Sequence, residues 1–202
     1  MGEKVALRVV THSETFHADE VCGVALLCLL FNDRELRVIR TRDQSLIDKI
    51  KDEQPTTIVI DVGQIYNPEE LFFDHHQKSF SEKYDPIYNF PMSSSGLIWK
   101  KFGGDILEKY KANNIRKVKD IAYKFFFAGI DANDNGVSYL IDPNSKTNYK
   151  QSLSLSFCIS QLNTKGDSDE QDNAFLKAVG VAKVIIDGYL NTLVTDKNHA
   201  KS

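Results

Sequence analysis

Apolar positions along the chain fall into short β-branched runs, separated by segments of helical spacing. Val5-Ala6-Leu7-Arg8-Val9-Val10 is one such run and predicts a buried first strand. It empties into the polar stretch Thr11-His12-Ser13-Glu14-Thr15-Phe16-His17-Ala18-Asp19-Glu20. Residues 21–31 then predict a helix that is hydrophobic nearly all round, hence covered on most sides. Residues 36–41 alternate with period two and predict a second strand, and Leu46, Ile47 and Ile50 give helical spacing over residues 44–51. After the break at Pro55, Thr57-Ile58-Val59-Ile60 is a continuous apolar run of a fully buried strand, and Leu71-Phe72-Phe73 repeats it. Strands alternating with helices predict an α/β fold: a doubly wound, mainly parallel sheet flanked by helices.

Further along, Ser93-Ser94-Ser95-Gly96 stands before Leu97-Ile98-Trp99-Lys100-Lys101-Phe102 and marks a helix N-terminus with hydroxyl caps; the alternative is that its free amides hold a phosphate. Residues 118–130 predict an apolar helix leading into Asp131-Ala132-Asn133-Asp134-Asn135-Gly136, and Asp142-Pro143-Asn144-Ser145 a loop. Residues 152–162 predict a helix and residues 174–193 a long final one. The tail over residues 195–202, with His199, has no core-forming side chain and is expected to fray. The expected division is one domain over residues 1–165, then a linker-like helix and tail over 166–202.

A chain of 202 residues can bury one substantial core with a small appendage. Its longest apolar run, 11 residues, is too short to span a bilayer, and no basic and apolar leader opens it, so a cytoplasmic location is expected. Cys22, Cys28 and Cys158 sit in apolar runs without a CxxC pair, as buried thiols in a reducing compartment do. The net charge of −3 argues against extended duplex DNA, which calls for a basic stripe. A compact phosphorylated substrate held by metal ions needs no such stripe.

The candidate chemistry collects where strands end. Four of the five histidines, His12, His17, His75 and His76, lie in two short stretches that also carry Asp19 and Asp74. Asp61 closes the third strand, and Asp131 or Asp134 follows the apolar helix. Carboxyl ends of parallel strands are where ligands bind in α/β folds. Histidine and carboxylate ligands without thiolate suit manganese, magnesium, iron or zinc. Seven or more are enough for two ions about 3.5–4 Å apart, bridged by a shared carboxylate, the arrangement that clamps a phosphoryl group and activates water. Blander roles compete: His12 could satisfy a loop, Asp61 could cap a helix, and Asp74 could hold a histidine tautomer. Neighbouring strand residues point to opposite faces, so His75 and His76 share a purpose only if the chain turns there; the polar Gln77-Lys78-Ser79 predicts that turn.

Asp74-His75-His76 resembles the triplet of the DHH phosphoesterase superfamily, which includes RecJ-type exonucleases, oligoribonucleases and family II inorganic pyrophosphatases. Five blocks in order are similar to a narrower branch, the melanocyte-proliferating-gene (Myg) family. They are Thr11-His12 with Phe16-His17-Ala18-Asp19-Glu20, then Asp61-Val62-Gly63, Phe73-Asp74-His75-His76-Gln77, Ser94-Ser95-Gly96-Leu97, and Asp131-Ala132-Asn133-Asp134-Asn135-Gly136. That branch is long labelled as metal-dependent protein hydrolases and is related to 3′–5′ RNA exonucleases.

The resemblance implies two Mn²⁺ ions, with Mg²⁺ as the substitute. His12, His17 and Asp61 would hold one; Asp19, Asp61, His75 and Asp131 or Asp134 the other, with Asp131 favoured because it directly follows the apolar helix. His76 would face the scissile phosphate, and Asp74 would orient a histidine. His17 replaces the superfamily's usual acid, which lowers the negative charge of the site by one and is expected to alter metal preference. The implied activity is hydrolysis of short single-stranded RNA or DNA, or of small nucleotides, by a two-metal-activated water. The alternatives are a metal-binding regulatory protein without turnover and a pyrophosphatase or small-nucleotide phosphatase. Relatives continue into a second domain that closes over the substrate, expected to be absent here; a homo-oligomer is one way to replace that wall. Arg40 and Arg42, at the end of the second strand, are either phosphate contacts or solvated surface residues.

Overall fold

The computed structural model describes residues 6–138 and 154–196, so the 142–145 loop and His199 lie outside the described residues. Five strands form one sheet. β1 (Leu7–Thr11) is an inner strand, with β2 (Leu36–Arg40) at the sheet edge on one side and β3 (Ile58–Ile60), the central strand, on the other. β4 (Tyr66–Asn67) and β5 (Phe72–Phe73) complete the order β2-β1-β3-β5-β4. Every pairing is parallel except β4 with β5, the outermost pair, which is antiparallel. β4, only two residues long, has no apolar run to announce it.

Both faces of the sheet are covered, which is why its strands are apolar at consecutive positions. Val9, Ile58, Ile60 and Phe73 point into the larger core, beneath α1 (Ala18–Leu30), α3 (Ser94–Lys109) and α7 (Ser168–Thr195). Val10, Val59 and Phe72, their neighbours along the strands, point to the opposite face and meet Ile47 and Ile50 of α2 (Gln44–Glu53). α1 is buried at every position except Cys28, the environment that its uniform hydrophobicity requires.

β1 passes through α1 to β2 on one side, and β2 returns through α2 past β1 to β3 on the other, so the two connections run in opposite directions and their helices cover opposite faces. The sheet is thus doubly wound, with the switch in direction between the carboxyl ends of β1 and β3. A crevice at that point is the general ligand position of open α/β sheets.

The predicted helix over residues 118–130 is three pieces. α4 (Ile115–Ala122) passes through a π-helical turn, Tyr123–Phe127, into α5 (Ala128–Asp134). Residues 152 and 153 lie outside the described residues; the helix predicted there is the short α6 (Leu155–Ser160). α7 starts six residues before the predicted position 174 because the Asp167 carboxylate accepts the Glu170 amide and caps its first turn. By length and composition α7 is apolar enough to cross a membrane. Its Ala174, Phe175, Ala178, Ala182, Ile186 and Leu190 are buried in the same core as α1, with which it packs. The expected division at residue 165 falls in the turn just before this helix.

Candidate metal centre

Three strand ends converge at the switch point. His12 follows the last residue of β1, and Asp61 follows the last residue of β3 in the left-handed backbone region, with φ of 56°. That conformation is strained for a residue with a β-carbon and turns the carboxylate back over the sheet edge. Gly63 (φ 93°) and Gln64 (φ 54°) continue the tight path, and the Gln64 amide donates to Asp74 Oδ2 at 2.6 Å. β5 ends at Phe73, so the chain turns at the triplet, and both following imidazoles reach the same carboxylate. His75 Nε2 is 3.3 Å and His76 Nδ1 3.4 Å from Asp61 Oδ1. Adjacent histidines on one side require this loss of strand geometry.

The fourth contribution is the first turn of α1. His17 is the residue at which α1 begins, and its amide donates to Glu20 Oε1 at 2.8 Å. Asp19 and Glu20 are therefore helical and wholly buried rather than part of a polar loop. His12 Nε2 lies 3.0 Å from Glu20 Oε1 and 3.4 Å from Asp61 Oδ2. On the other side of Asp61, His75 Nε2 is 3.1 Å from Asp134 Oδ2 and 3.7 Å from Asp19 Oδ2.

Three overlapping groups could hold a metal ion: His12, His17, Glu20 and Asp61; Asp61, His75 and His76; and His17, Asp19 and Asp134. Asp61 belongs to two of them. Both oxygens of Asp19 and Oε2 of Glu20 are buried without a hydrogen-bond donor, and His75 Nε2, though 3.1 to 3.7 Å from three carboxylates, is poorly aligned with all of them. Burying such atoms is costly, and a divalent cation is the partner that fits all of them at once.

The electrostatics agree. Burial raises Asp19 well above the usual carboxylate range, and Asp61, Glu20 and Asp134 beside it raise it further. Burial alone would depress His12, yet hydrogen bonds to Asp61 and Glu20 more than offset it and lift the imidazole to about 10. His75 is raised to about 10 in the same way, by Asp134 and Asp61 against burial. Asp61 is held far below its ordinary value: burial opposes this, and His12 and His75 outweigh burial. A concentration of negative charge thus attracts whatever cation is within reach, here protons on imidazoles.

Asp74 has a different environment. Its Oδ1 accepts the His76 amide at 3.1 Å and stands 2.7 Å from His76 Nδ1, so the buried acid holds an imidazole whose side chain is 57% exposed. That hydrogen bond is the main reason the His76 pKa is raised.

Asp131, the member of the acid pair that the sequence favours as a ligand, lies elsewhere. Its Oδ1 accepts the Ser93 hydroxyl at 2.7 Å and the Gly96 amide at 3.1 Å, and Oδ2 accepts the Tyr123 hydroxyl at 2.8 Å. Burial raises this acid to about 6 against the pull of those donors. A β-carbon on Gly96 would come within 2.1 Å of Asp131 Oδ2, so glycine is required there. The N-terminus of α3, read from the sequence as hydroxyl-capped or open to phosphate, is instead closed by a carboxylate from α5. Ser94, in the same run, turns the other way and donates to Asp61 Oδ1 at 3.1 Å. Glu20 and Ser94 are site residues that the ligand assignment from sequence leaves out. The signal for Glu20 was an acid three residues beyond His17, at the head of an apolar helix.

Comparison with known proteins agrees with the blocks in the sequence. The chain is similar to MYG1 protein YER156C of Saccharomyces cerevisiae, with 34% identity over 96% of this chain and 58% of the relative. It is also similar to the MYG1 protein of Dictyostelium discoideum (37%, covering 83% and 49%) and to the protein of Homo sapiens named MYG1 exonuclease (32%, covering 82% and 44%). The chain spans about half the length of the curated relatives it matches. No solved structure matches it. A family model described as MYG1_exonuc, uncharacterised protein family (UPF0160), matches residues 8–202, and the chain belongs to that family.

Proposed function

We propose that the chain is a metal-dependent phosphoesterase of exonuclease type, hydrolysing phosphodiester bonds in short single-stranded nucleic acid or small nucleotides. The observation that carries this reading is Asp61, buried at the switch point between His12 on one side and His75 and His76 on the other, beside acids without donors. His12, His17 and Asp61, with Glu20 beside them, would hold one ion; Asp19, Asp61, His75 and Asp134 would hold the second. Manganese, with magnesium as substitute, suits this imidazole and carboxylate set. When bound, such ions polarise a phosphoryl oxygen and lower the pKa of a coordinated water.

The remaining work falls to the chain itself. Asp74 fixes the His76 ring through Nδ1, which directs Nε2 away from the buried acids. The hydrogen bond to Asp74 raises the His76 pKa, and a proton on Nε2 would make the ring a donor suited to a phosphate oxygen. The names of the mammalian relatives and the resemblance to the DHH phosphoesterases support the same reading.

The test is Mn²⁺-dependent release of mononucleotides from a short end-labelled single-stranded RNA. The expected result is release by the wild-type protein and its loss, by about a thousandfold or more, in His75→Ala. Undiminished release by His75→Ala would overturn the mechanism.

A further inference from the structure

Two arginines leave the carboxyl end of β2, and their surroundings differ. Arg40 is used inside the fold. Its side chain is 2% exposed, Nη1 donates to Asp172 at 2.8 Å, and the guanidinium lies 4.7 Å from the Phe175 ring centre. Arg42 is exposed and makes no ion pair with a carboxylate among the described residues. Its Nη2 is 3.0 Å from His12 Nδ1, a nitrogen that also lies 2.9 Å from the Ser13 carbonyl oxygen. That contact uses one guanidinium nitrogen, and Nε and Nη1 have no hydrogen-bond partner among the described residues, so their donors face a ligand.

Arg42, Gln44 and Gln64 line a cavity of about 640 Å³ that also reaches His12, Asp61 and His76. Its two acids are engaged: Asp61 by the imidazoles, and Asp74 by the Gln64 amide and His76. Among the described residues, Arg42 is the only Lys or Arg in its lining. A second cavity, of about 490 Å³, shares His17, Asp61 and His76 but is walled by Asp19, Asp134 and Phe157, with no Lys or Arg among the described residues of its lining. The candidate centre therefore lies between a cavity with an arginine in its wall and one whose described wall carries two further acids.

We propose that Arg42 binds a second phosphate of the substrate, next to the scissile one, so that the protein prefers ends that carry a phosphate over ends that carry a free hydroxyl. A planar guanidinium beside the side-chain amide of Gln64, with the second N–H of Gln44 Nε2, whose first donates to Asp48 at 2.7 Å, is a donor set matched to phosphate oxygens. This inference rests on the phosphoesterase reading and gives it a substrate class: nucleotide ends with a phosphate on the Arg42 side.

The test is calorimetric binding of three dinucleotides with a phosphorothioate linkage, one unphosphorylated, one 5′-phosphorylated and one 3′-phosphorylated, to Mn²⁺-loaded protein. One phosphorylated form should bind the wild type about tenfold more tightly than the unphosphorylated form. Arg42→Gln should erase that preference while binding Mn²⁺ as the wild type does. Arg37→Gln, on the exposed part of the same strand, should retain it. A preference that survives in Arg42→Gln, or a wild type with none, overturns the assignment while leaving the phosphoesterase reading intact. A Mn²⁺-loaded wild type that binds none of the three overturns both.

Discussion

The N-terminus of α3 and the carboxyl end of β3 both bury carboxylates, and they treat them in opposite ways. At α3, Asp131 receives three hydroxyls and a backbone amide at 2.7 to 3.3 Å, and Gly96 leaves space for it to come that close. At β3, Asp19 has no donor at either oxygen, and Glu20 has none at Oε2, though both are wholly buried among other acids. The first carboxylate is complete within the chain and serves the structure, by tying α5 to α3. The second set keeps carboxylate oxygens without donors, where a cation would fit. Asp131 and Asp134 are three residues apart on one helix, and the contrast separates even these two: Asp134 belongs with the second set, 3.1 Å from His75.

The same substitution at the two places should therefore change stability with opposite sign. Asp131→Asn turns an amide nitrogen toward groups that can only donate or prefer to. It should lower the unfolding free energy by about 3 kcal/mol in urea titrations of metal-free protein, since buried donors without partners cost about 1–3 kcal/mol each. Stability within 0.5 kcal/mol of wild type, roughly the scatter of neutral surface changes, would break the comparison.

Gly96→Ala attacks the same junction from the other side, and crowding the carboxylate should cost about 2 kcal/mol, typical of overpacking. Asp131→Asn and Gly96→Ala together should cost less than the sum of the two, because they damage one contact. Strict additivity in the double variant would mean that the clash with Asp131 is not the reason for glycine at position 96.

The smallest effect is the most diagnostic. Asp19→Asn relieves repulsion among Asp61, Glu20 and Asp134, and should raise the stability of metal-free protein by about 1 kcal/mol, as changes at functional sites often do. The benefit should reverse on adding Mn²⁺. Saturating a site at a hundred times its Kd stabilises a protein by about 2.7 kcal/mol. Melting temperatures with and without Mn²⁺ should show that gain in wild type and in Asp131→Asn, and a reduced one in Asp19→Asn. An undiminished gain in Asp19→Asn would remove Asp19 from the ligand set.

Much of this arrangement was legible in one dimension. The β-branched runs of β1 and β3 are continuous because both faces of the sheet are covered, so burial on two sides is written directly into residue type. The residues that follow those runs, His12 and Asp61, could be picked out because imidazoles and acids have no reason to end a buried strand except to meet something. Glu20 was harder. At the head of an apolar helix an acid is a good cap, and its amide contact with His17 is of that kind, so its second role facing His12 left no separate trace. Arg40 and Arg42 alternate with Thr41 in a polar stretch, and nothing in that pattern says which is neutralised by α7, more than a hundred residues further on.

The sequence by itself determined the α/β class and the strand ends at which histidines and carboxylates gather, because periodicity and residue type are local properties of the chain. Only the tertiary structure decided which of Asp131 and Asp134 meets the histidines, what closes the N-terminus of α3, and which arginine faces the cavity. Each of those depends on the partner that a side chain finds across a packed interface, and a carboxylate or guanidinium takes its role from the donors, acceptors and charges gathered around it. Spacing along the chain cannot supply those neighbours; packing α5 and α7 against the rest of the fold does.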